Sequence, residues 1–328
     1  MKEVLQSLHN HRILTREESK ELLTKISQGD FNHSQIASFL TIFLMRKITI
    51  EELSGFRDAL LELCIPVDLS EYDPIDLCGT GGDGKNTFNI STLASFVVAG
   101  AGVKVAKHGN YGVSSTSGSS NVMEKLGYRF TNDLGKIKHQ IEDANICFLH
   151  APLFHPAMKL VAPIRKELGV KTFFNMLGPM VNPSKPNKQI VGVYSLELLR
   201  LYKYLYQQTD KKYAIIYSLD GYDEISLTSD FRIVSNNKDQ LITPKEYGFH
   251  HLKQEQLFGG NTVDESAKIF LKIISGEGTI AQNNAVIVNA ATAIQVSTGL
   301  SIIESIDKAT VSLQSGNALQ SLKKLIAI

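Results

Sequence analysis

From Ile75 onward the sequence alternates between short runs typical of β-strands and longer segments with helical periodicity. This alternation constrains the fold most, because parallel strands need crossover connections, which are usually helices. We predict an α/β fold with a mainly parallel sheet flanked by helices. The predicted strands are Ile75–Cys78, Val103–Ala106, Asn145–His150, Gln189–Tyr194 and Tyr213–Ser218. The predicted helices are Ser91–Gly102, Ser119–Gly127, Asp133–Ala144, Pro156–Leu168, Leu196–Gln208, Ala267–Ser275, Ile280–Ser297 and Ile302–Leu313.

The first 65 residues show helical periodicity only. Thr15–Glu18 and Thr49–Glu52 fit the capping-box pattern, in which each of the two side chains satisfies a backbone N–H of the other residue. Apolar residues then recur on one helical face, so we predict four short helices. Residues 1–70 are expected to form a small all-helical domain, joined by part of 165–185, and residues 71–328 a large α/β domain.

Charge and composition exclude several classes of protein. The chain has 34 Lys and Arg against 33 Asp and Glu, and a net charge of +1 provides no general attraction to nucleic acid or an anionic membrane. The longest apolar stretch, Ala94–Val103, is shorter than the about 20 residues of a membrane span, and the first residues lack a secretory signal. Three widely spaced cysteines fit a reduced compartment, so we expect a cytoplasmic protein.

A glycine-rich segment, Gly79–Gly84, follows the first predicted strand and has four glycines in six positions. Glycine lets the backbone turn sharply and approach a ligand closely. The next helix begins near Asn89, with Ser91 and Thr92 in its first turn, and the free N–H groups of a helix start attract anions. Neither a Rossmann fingerprint nor a P-loop pattern is present. We interpret the segment as a phosphate site, with a solvated glycine turn as the alternative.

A second loop, Lys107–Ser120, follows the second predicted strand and leads into a helix. Its lysine supplies a positive charge, and its five serines and one threonine supply hydrogen-bond donors. The carboxyl ends of parallel strands meet at one edge of a sheet, so both loops should face one crevice. The alternative is a flexible serine linker, which the closely bracketing strand and helix signals disfavour.

Two further features are weak when taken alone. Asp223 and Glu224 follow the strand Tyr213–Ser218, and in a turn both carboxylates could reach a bound Mg²⁺. Such a pair is usually only solvated, so it indicates a metal site only in combination with the two phosphate-like loops. Arg165 lies on the helix predicted to begin at Pro156, where a lone arginine is normally a solvent-facing salt-bridge partner.

Several motifs occur in a fixed order along the chain: GTGGDG, Asn89-Ile-Ser-Thr92, Lys107-His-Gly-Asn110, Ser114-Ser-x-Ser-Gly-Ser119, HPAMKxVAPIRKELGVKTxFNMLGP and Asp223-Glu224. Over essentially the whole chain the sequence resembles the anthranilate phosphoribosyltransferase family, within the nucleoside-phosphorylase-like phosphoribosyltransferase group. The resemblance implies transfer of the phosphoribosyl group of 5-phosphoribosyl-1-pyrophosphate (PRPP) to the amino group of anthranilate, with Mg²⁺, in tryptophan biosynthesis. It also implies a homodimer joined through the helical domain.

The same resemblance implies roles for individual residues. The PRPP-binding positions are Gly79, Gly82, Asp83, Thr87, Asn89, Ile90, Ser91, Thr92, Lys107, Ser115 and Ser119. The anthranilate-binding positions are Gly79, Asn110 and Arg165, and the metal ligands are Ser91, Asp223 and Glu224. No residue is assigned as a nucleophile or as a catalytic acid or base. Many relatives have an arginine where this chain has Tyr111.

Two other functions stay open at this point. A pyrimidine-nucleoside phosphorylase would share the architecture but bind phosphate and a base, whereas Lys107–Asn110 and Asn175–Pro183 fit the transferase motifs. A non-catalytic relative that binds nucleic acid or a regulatory ligand would be expected to lose the metal-binding acids or the loop glycines. This chain keeps both. We therefore expect PRPP and anthranilate as partners, and neither nucleic acid nor a membrane.

Overall fold

The computed structural model describes residues 1–112 and 117–328, and it divides into two compact units. The helical unit comprises Met1–Val67 and Ala151–Pro183, and the α/β unit comprises Asp68–His150 and Ser184–Ile328. The segment that joins the N-terminal helices is thus longer than the predicted part of 165–185. The α/β unit is correspondingly interrupted by this segment.

The elements of the described residues are as follows, in chain order. The α-helices are α1 (Lys2–His9), α2 (Arg16–Gln28), α3 (His33–Met45), α4 (Ile50–Leu63), α5 (Ile90–Gly100), α6 (Ser119–Lys125), α7 (Leu134–Asp143), α8 (Ala151–Phe154), α9 (Val161–Leu168), α10 (Phe174–Leu177), α11 (Leu196–Tyr206), α12 (Val263–Lys272), α13 (Ile280–Thr298), α14 (Ile302–Gln314) and α15 (Asn317–Ala327). The strands are β1 (Ile75–Leu77), β2 (Val105–Gly109), β3 (Ile146–His150), β4 (Lys188–Gly192), β5 (Lys212–Ser218), β6 (Phe231–Ser235) and β7 (Asp239–Ile242).

The core of the helical unit is a cluster of aromatic rings. Phe56 of α4 stacks on Phe173, which precedes α10, with ring centroids 4.5 Å apart. Phe39 and Phe43 of α3 meet both of these rings edge-on. Aromatic pairs of this geometry contribute about 0.5–1.5 kcal/mol beyond their burial. The segment after β3 belongs to the helical unit because its phenylalanine completes this core.

Both predicted capping boxes at Thr15–Glu18 and Thr49–Glu52 are confirmed. Glu52 has a second role, because its carboxylate is fully buried and accepts the N–H of Leu14 at 3.1 Å. It also pairs with the Arg46 guanidinium, with 2.9 Å between Nη1 and Oε2. Burial alone would raise the pKa of Glu52, but Arg46 and the backbone N–H groups hold it below its usual value. The folded helical unit therefore favours the ionised carboxylate.

We expect Glu52 to contribute to the loss of stability at acid pH. Its pKa is lower in the folded than in the unfolded chain, so its contribution is complete above the ordinary value of 4.5 and is lost as the pH falls through the lower folded value. Glu52→Gln should lower the free energy of unfolding by about 1–3 kcal/mol at neutral pH. It should also flatten the fall of that free energy at acid pH. Urea unfolding across this pH range tests the expectation, with the exposed Glu62→Gln as control. A variant in which that fall at acid pH is unchanged would contradict it.

The α/β unit is built on one seven-stranded sheet with the order β3-β2-β1-β4-β5-β6-β7. Strands β1 to β5 are parallel, and β6 and β7 are antiparallel additions at one edge. The predicted mainly parallel sheet flanked by helices is confirmed. The β6–β7 hairpin was not predicted, because its strands are short and leave most of their side chains partly or fully exposed.

Two helical features differ from the prediction. The predicted helix Pro156–Leu168 is a short 3₁₀ turn, Pro156–Met158, followed separately by α9. Pro163 accounts for the break, because in a continuous helix its missing N–H and its ring would conflict with the carbonyl of Lys159. Helix α15, which packs against α5, was not predicted.

No single helix among residues 1–112 and 117–328 is long and apolar enough to cross a membrane. Helices α13 and α14 pass the length and composition test only as a pair, and they are bent by 119° at the break between them.

Candidate active site

The site residues predicted in the α/β unit gather at the carboxyl edge of its parallel strands. The glycine loop follows β1, the second loop follows β2, and the turn with Asp223 and Glu224 follows β5. The Asn89 side chain donates from Nδ2 to the carbonyl oxygen of Ser117 at 3.1 Å, which joins the two loops. The structure therefore brings the two predicted loops to one place, as the parallel topology requires.

Three carboxylates converge beside these loops. One oxygen from each of Asp83, Asp223 and Glu224 lies within 4.8 Å of the other two. A small cavity of about 20 Å³, lined in part by Ser91, Asp223 and Glu224, lies at the same place. That volume has room for about one water molecule or one small ion. Carboxylate oxygens are ligands that Mg²⁺ prefers, so the cluster fits this ion, with Asp83 added to the predicted ligand set.

Burial makes the carboxyl groups of Asp223 and Glu224 hard to ionise without a cation. It raises the pKa of Asp223, although the Gly81 N–H, 2.7 Å from Oδ2, acts in the opposite direction. Burial also raises the pKa of Glu224 well above its ordinary value, and the charges of Asp223 and Asp83 raise it further. The backbone N–H of Ser91 donates to Glu224 and lowers its pKa in part. A divalent cation would relieve this repulsion.

Two glycines make room for Asp223. A Cβ atom at Gly79 would overlap its carboxylate oxygen Oδ2. A Cβ atom at Gly192, the last residue of β4, would overlap its carbonyl oxygen. Gly79 was predicted as a site residue, whereas Gly192 was missed because no local motif marks it.

The glycine loop is shaped by its own backbone and anchored at its far end. Thr87 forms an antiparallel bridge with Phe258, and the Gly259 N–H donates to the Asn86 carbonyl oxygen at 2.8 Å. Left-handed φ angles, which favour glycine, occur at Gly81, Gly82 and Gly84. The loop therefore needs glycine at these positions to follow its path.

The start of α5 is less open than predicted. Ile90 is fully buried, and its N–H donates to the Phe88 carbonyl oxygen at 2.6 Å. The Ser91 N–H is engaged by Glu224. The Thr92 hydroxyl is buried and has no hydrogen-bond partner in the described part of the chain. Of these three residues, Thr92 thus retains an unsatisfied side-chain group, and Ser91 lies beside the carboxylates.

Lys107 lies inside β2 and not after it, because the strand continues to Gly109. Its side chain is buried, and Nζ donates to the carbonyl oxygen of Leu77, the last residue of β1, at 2.5 Å. Burial lowers the pKa of Lys107, and the nearby acids Asp76 and Glu224 act in the opposite direction. The lysine thus places a positive charge at the start of the glycine loop.

The described part of the second loop is tied to α6. The Ser119 hydroxyl donates to the Asn110 carbonyl oxygen at 3.3 Å, and the Asn110 side chain accepts the Tyr111 N–H at 2.8 Å. The Tyr111 hydroxyl donates to Oε1 of Glu124 at 2.7 Å. Tyr111 therefore fastens the loop to α6. Ser115 lies outside the described residues.

In the helical unit, Arg165 lies on α9. Its Nη2 donates to Oδ1 of Asn175 at 3.1 Å, and its guanidinium lies 5.2 Å from the ring centroid of Phe174. Its Nε is buried without a hydrogen-bond partner in the described chain. Burial lowers its pKa, and no charged neighbour in that part of the chain offsets this effect. This guanidinium is therefore unlike the solvent-facing salt-bridge partner that a lone helical arginine usually is, and it suits a ligand carboxylate.

Comparison with known proteins agrees with this geometry. A model of the "Glycosyl transferase family, a/b domain" matches residues 71–319, and a model of its "helical bundle domain" matches residues 2–64. An anthranilate phosphoribosyltransferase from Flavobacterium psychrophilum is 61% identical over 325 residues, which are 99% of this chain and 98% of the relative. The chain belongs to the anthranilate phosphoribosyltransferase family. It is accordingly an enzyme of the pentosyltransferase class.

Solved anthranilate phosphoribosyltransferases share the fold. The enzyme from Thermus thermophilus has a TM-score of 0.91 and 32% identity, over 98% of both chains. The enzyme from Saccharomyces cerevisiae in complex with PRPP and Mg has a TM-score of 0.87 and 32% identity, over 96% of this chain and 93% of that one. A structure of the yeast enzyme in complex with 4-fluoroanthranilate has a TM-score of 0.84 and 30% identity, over 96% and 92%. The predicted fold class and family are confirmed.

Proposed function

We propose that this chain transfers the phosphoribosyl group of PRPP to the amino group of anthranilate, giving N-(5′-phosphoribosyl)anthranilate and pyrophosphate, in tryptophan biosynthesis. One observation carries the proposal. Asp83, Asp223 and Glu224 converge beside the glycine loop, in a chain that is 61% identical to an anthranilate phosphoribosyltransferase. The convergence supports a metal site beside the loop that is proposed to hold the pyrophosphate.

The glycine loop and the second loop are proposed to bind PRPP. The positive-φ glycines let the main chain turn around a ligand, and Asn89 holds the two loops together. Thr92 offers an unsatisfied hydroxyl, and Lys107 offers a buried positive charge. The full proposed set is Gly79, Gly82, Asp83, Thr87, Asn89, Ile90, Ser91, Thr92, Lys107, Ser115 and Ser119. Ile90 would act by shaping the loop, because its side chain is buried and its N–H donates to the Phe88 carbonyl oxygen.

Ser91, Asp223 and Glu224 are proposed to hold Mg²⁺, with Asp83 as a further ligand. When bound, Mg²⁺ would neutralise negative charge on the departing pyrophosphate. The protein's own contribution is to hold the carboxylates together against their repulsion. The Gly81 N–H orients Asp223, and the Ser91 N–H orients Glu224.

Arg165, Asn110 and Gly79 are proposed to bind anthranilate. The planar guanidinium of Arg165 can form two parallel hydrogen bonds to the carboxylate. An aromatic amine is neutral at pH 7, so its lone pair is available without a strong base. We accordingly assign no catalytic acid, base or nucleophile. The rate enhancement would come from positioning the amine and from stabilising charge on the leaving group.

We further propose that the protein is a cytoplasmic homodimer joined through the helical unit. In support, that unit exposes large apolar side chains that a second copy would cover. Ile13, Leu44 and Met45 are 56%, 46% and 90% exposed, respectively. The net charge of +1 gives no reason to expect nucleic acid or a membrane as a partner.

The proposal is tested by mixing the protein with PRPP, Mg²⁺ and anthranilate. Anthranilate fluorescence should fall in step with pyrophosphate release, and it should not fall when ribose 5-phosphate replaces PRPP. A pyrimidine-nucleoside phosphorylase would instead cleave uridine in the presence of phosphate. Phosphorolysis of uridine without consumption of anthranilate would overturn the proposed function.

A further inference from the structure

The turn that carries Asp223 and Glu224 is paired to a distant helix. Asn289 of α13 is 5% exposed, and its Oδ1 accepts the N–H of Ile225 at 3.0 Å. Its Nδ2 donates to the carbonyl oxygens of Ile225, at 2.9 Å, and Ala285, at 2.8 Å. The amide thus satisfies both main-chain groups of the residue directly after Glu224, as a neighbouring strand would.

A buried serine holds the same turn from the strand side. Ser218, the last residue of β5, donates from Oγ to the Glu224 carbonyl oxygen at 2.6 Å and accepts the Ser226 N–H at 3.2 Å. The turn ends in Leu227, a buried residue with a φ of 60°. Non-glycine residues rarely adopt this left-handed conformation, and it persists only where the surroundings enforce it.

A third contact fixes the start of the turn. Gly192 of β4 lies so close to Asp223 that a Cβ atom would overlap the Asp223 carbonyl oxygen. The Gly192 carbonyl oxygen in turn accepts the N–H of Thr80 in the glycine loop at 2.9 Å. The main chain of residues 223–226 is therefore held by β4, β5 and α13 together.

We propose that Asn289 is a positioning residue for divalent-cation binding, acting together with Ser218 and Gly192. The carboxylates of Asp223 and Glu224 repel each other and Asp83, so a freely moving turn would let them separate before a cation arrives. Fixing the main chain on both sides of Glu224 keeps their oxygens within the observed 4.8 Å. The inference rests on the proposed function for the identity of the ligand.

The test uses Mn²⁺ as the probe, because electron paramagnetic resonance reports the free ion. With PRPP present and anthranilate absent, Asn289→Ala and Ser218→Ala should each bind Mn²⁺ about 10- to 100-fold more weakly than the unmodified protein. The activity of Asn289→Ala should recover at high Mg²⁺, with an unchanged KM for anthranilate. A generally loosened fold would also raise the KM for anthranilate.

Thr292→Val is the matched control on the same helix. Thr292 is 1% exposed, and its hydroxyl donates to the carbonyl oxygen of Val288 in α13. This variant should bind Mn²⁺ normally, and an equal loss of affinity here would overturn the specific role of Asn289. If Asn289→Ala does not fold, Ser218→Ala carries the test, because it removes a single hydroxyl.

The possible failures are distinguishable. If the unmodified protein does not bind Mn²⁺ in the presence of PRPP, the proposed metal site is wrong, and this inference falls with it. If the unmodified protein binds Mn²⁺ and both folded variants bind it equally well, only the positioning role is overturned.

Discussion

Asp223→Asn combined with Glu224→Gln is expected to abolish phosphoribosyl transfer while the fold survives. A bound metal ion supplies several kcal/mol of charge stabilisation, so kcat/KM should fall at least about a thousandfold. In the absence of metal, the double variant should be more stable than the unmodified protein. Burial raises the pKa of both carboxyls, and the charges of Asp223 and Asp83 raise that of Glu224 further. Neutral amides of the same size should therefore raise the unfolding temperature. Initial rates check the loss of activity, and thermal unfolding of the same preparation checks the gain in stability.

Asp264→Asn is a suitable control for this double variant, because the Asp264 side chain is 62% exposed and lies on α12. It should change neither activity nor stability appreciably. Full activity in the double variant, or in the unmodified protein with excess chelator, would rule out the assigned metal role.

Arg165→Ala should raise the KM for anthranilate about ten- to a hundredfold and leave PRPP affinity nearly unchanged. The reason is the loss of a charge-assisted pair with the substrate carboxylate, which is worth about 1.5–3 kcal/mol. Arg165→Lys keeps the charge but loses the planar guanidinium. Its KM for anthranilate should therefore lie between those of the unmodified protein and of Arg165→Ala. Steady-state kinetics with each substrate varied in turn measure both constants.

Lys166→Ala, at the exposed neighbouring position on α9, is the control for Arg165. It should leave both Michaelis constants unchanged. The carboxylate-binding role is wrong if the unmodified protein uses aniline, which lacks the carboxylate, as well as it uses anthranilate.

Features of the fold that depend on local patterns were predictable. The strands β1 to β5 follow apolar runs, and the capping boxes at Thr15–Glu18 and Thr49–Glu52 are set by residues three positions apart. The β6–β7 hairpin was missed because its exposed edge has no apolar run. The helix from Pro156 was wrong in its continuity, because Pro163 has no N–H to continue the hydrogen-bond ladder.

The site likewise has features that local sequence patterns predict and features that they do not. Glycine and hydroxyl residues after successive strands mark the loops, and parallel topology brings such loops to one edge. The contacts that shape the carboxylate cluster are not local. The hydrogen bond between Gly81 and Asp223 joins residues 142 positions apart in sequence, and the bond between Asn289 and Ile225 joins residues 64 positions apart. The approach of Gly192 to Asp223 likewise depends on the pairing of β4 with β5, which no motif encodes.

The carboxylate cluster beside the glycine loop is proposed to hold the cation and pyrophosphate of PRPP. A crystal structure of the unmodified protein with PRPP and Mn²⁺, recorded at a wavelength where manganese scatters anomalously, tests it most directly. We expect an anomalous peak at coordination distance from Asp223 and Glu224, with the pyrophosphate against Gly79–Thr92. Manganese and pyrophosphate bound away from these residues would contradict it.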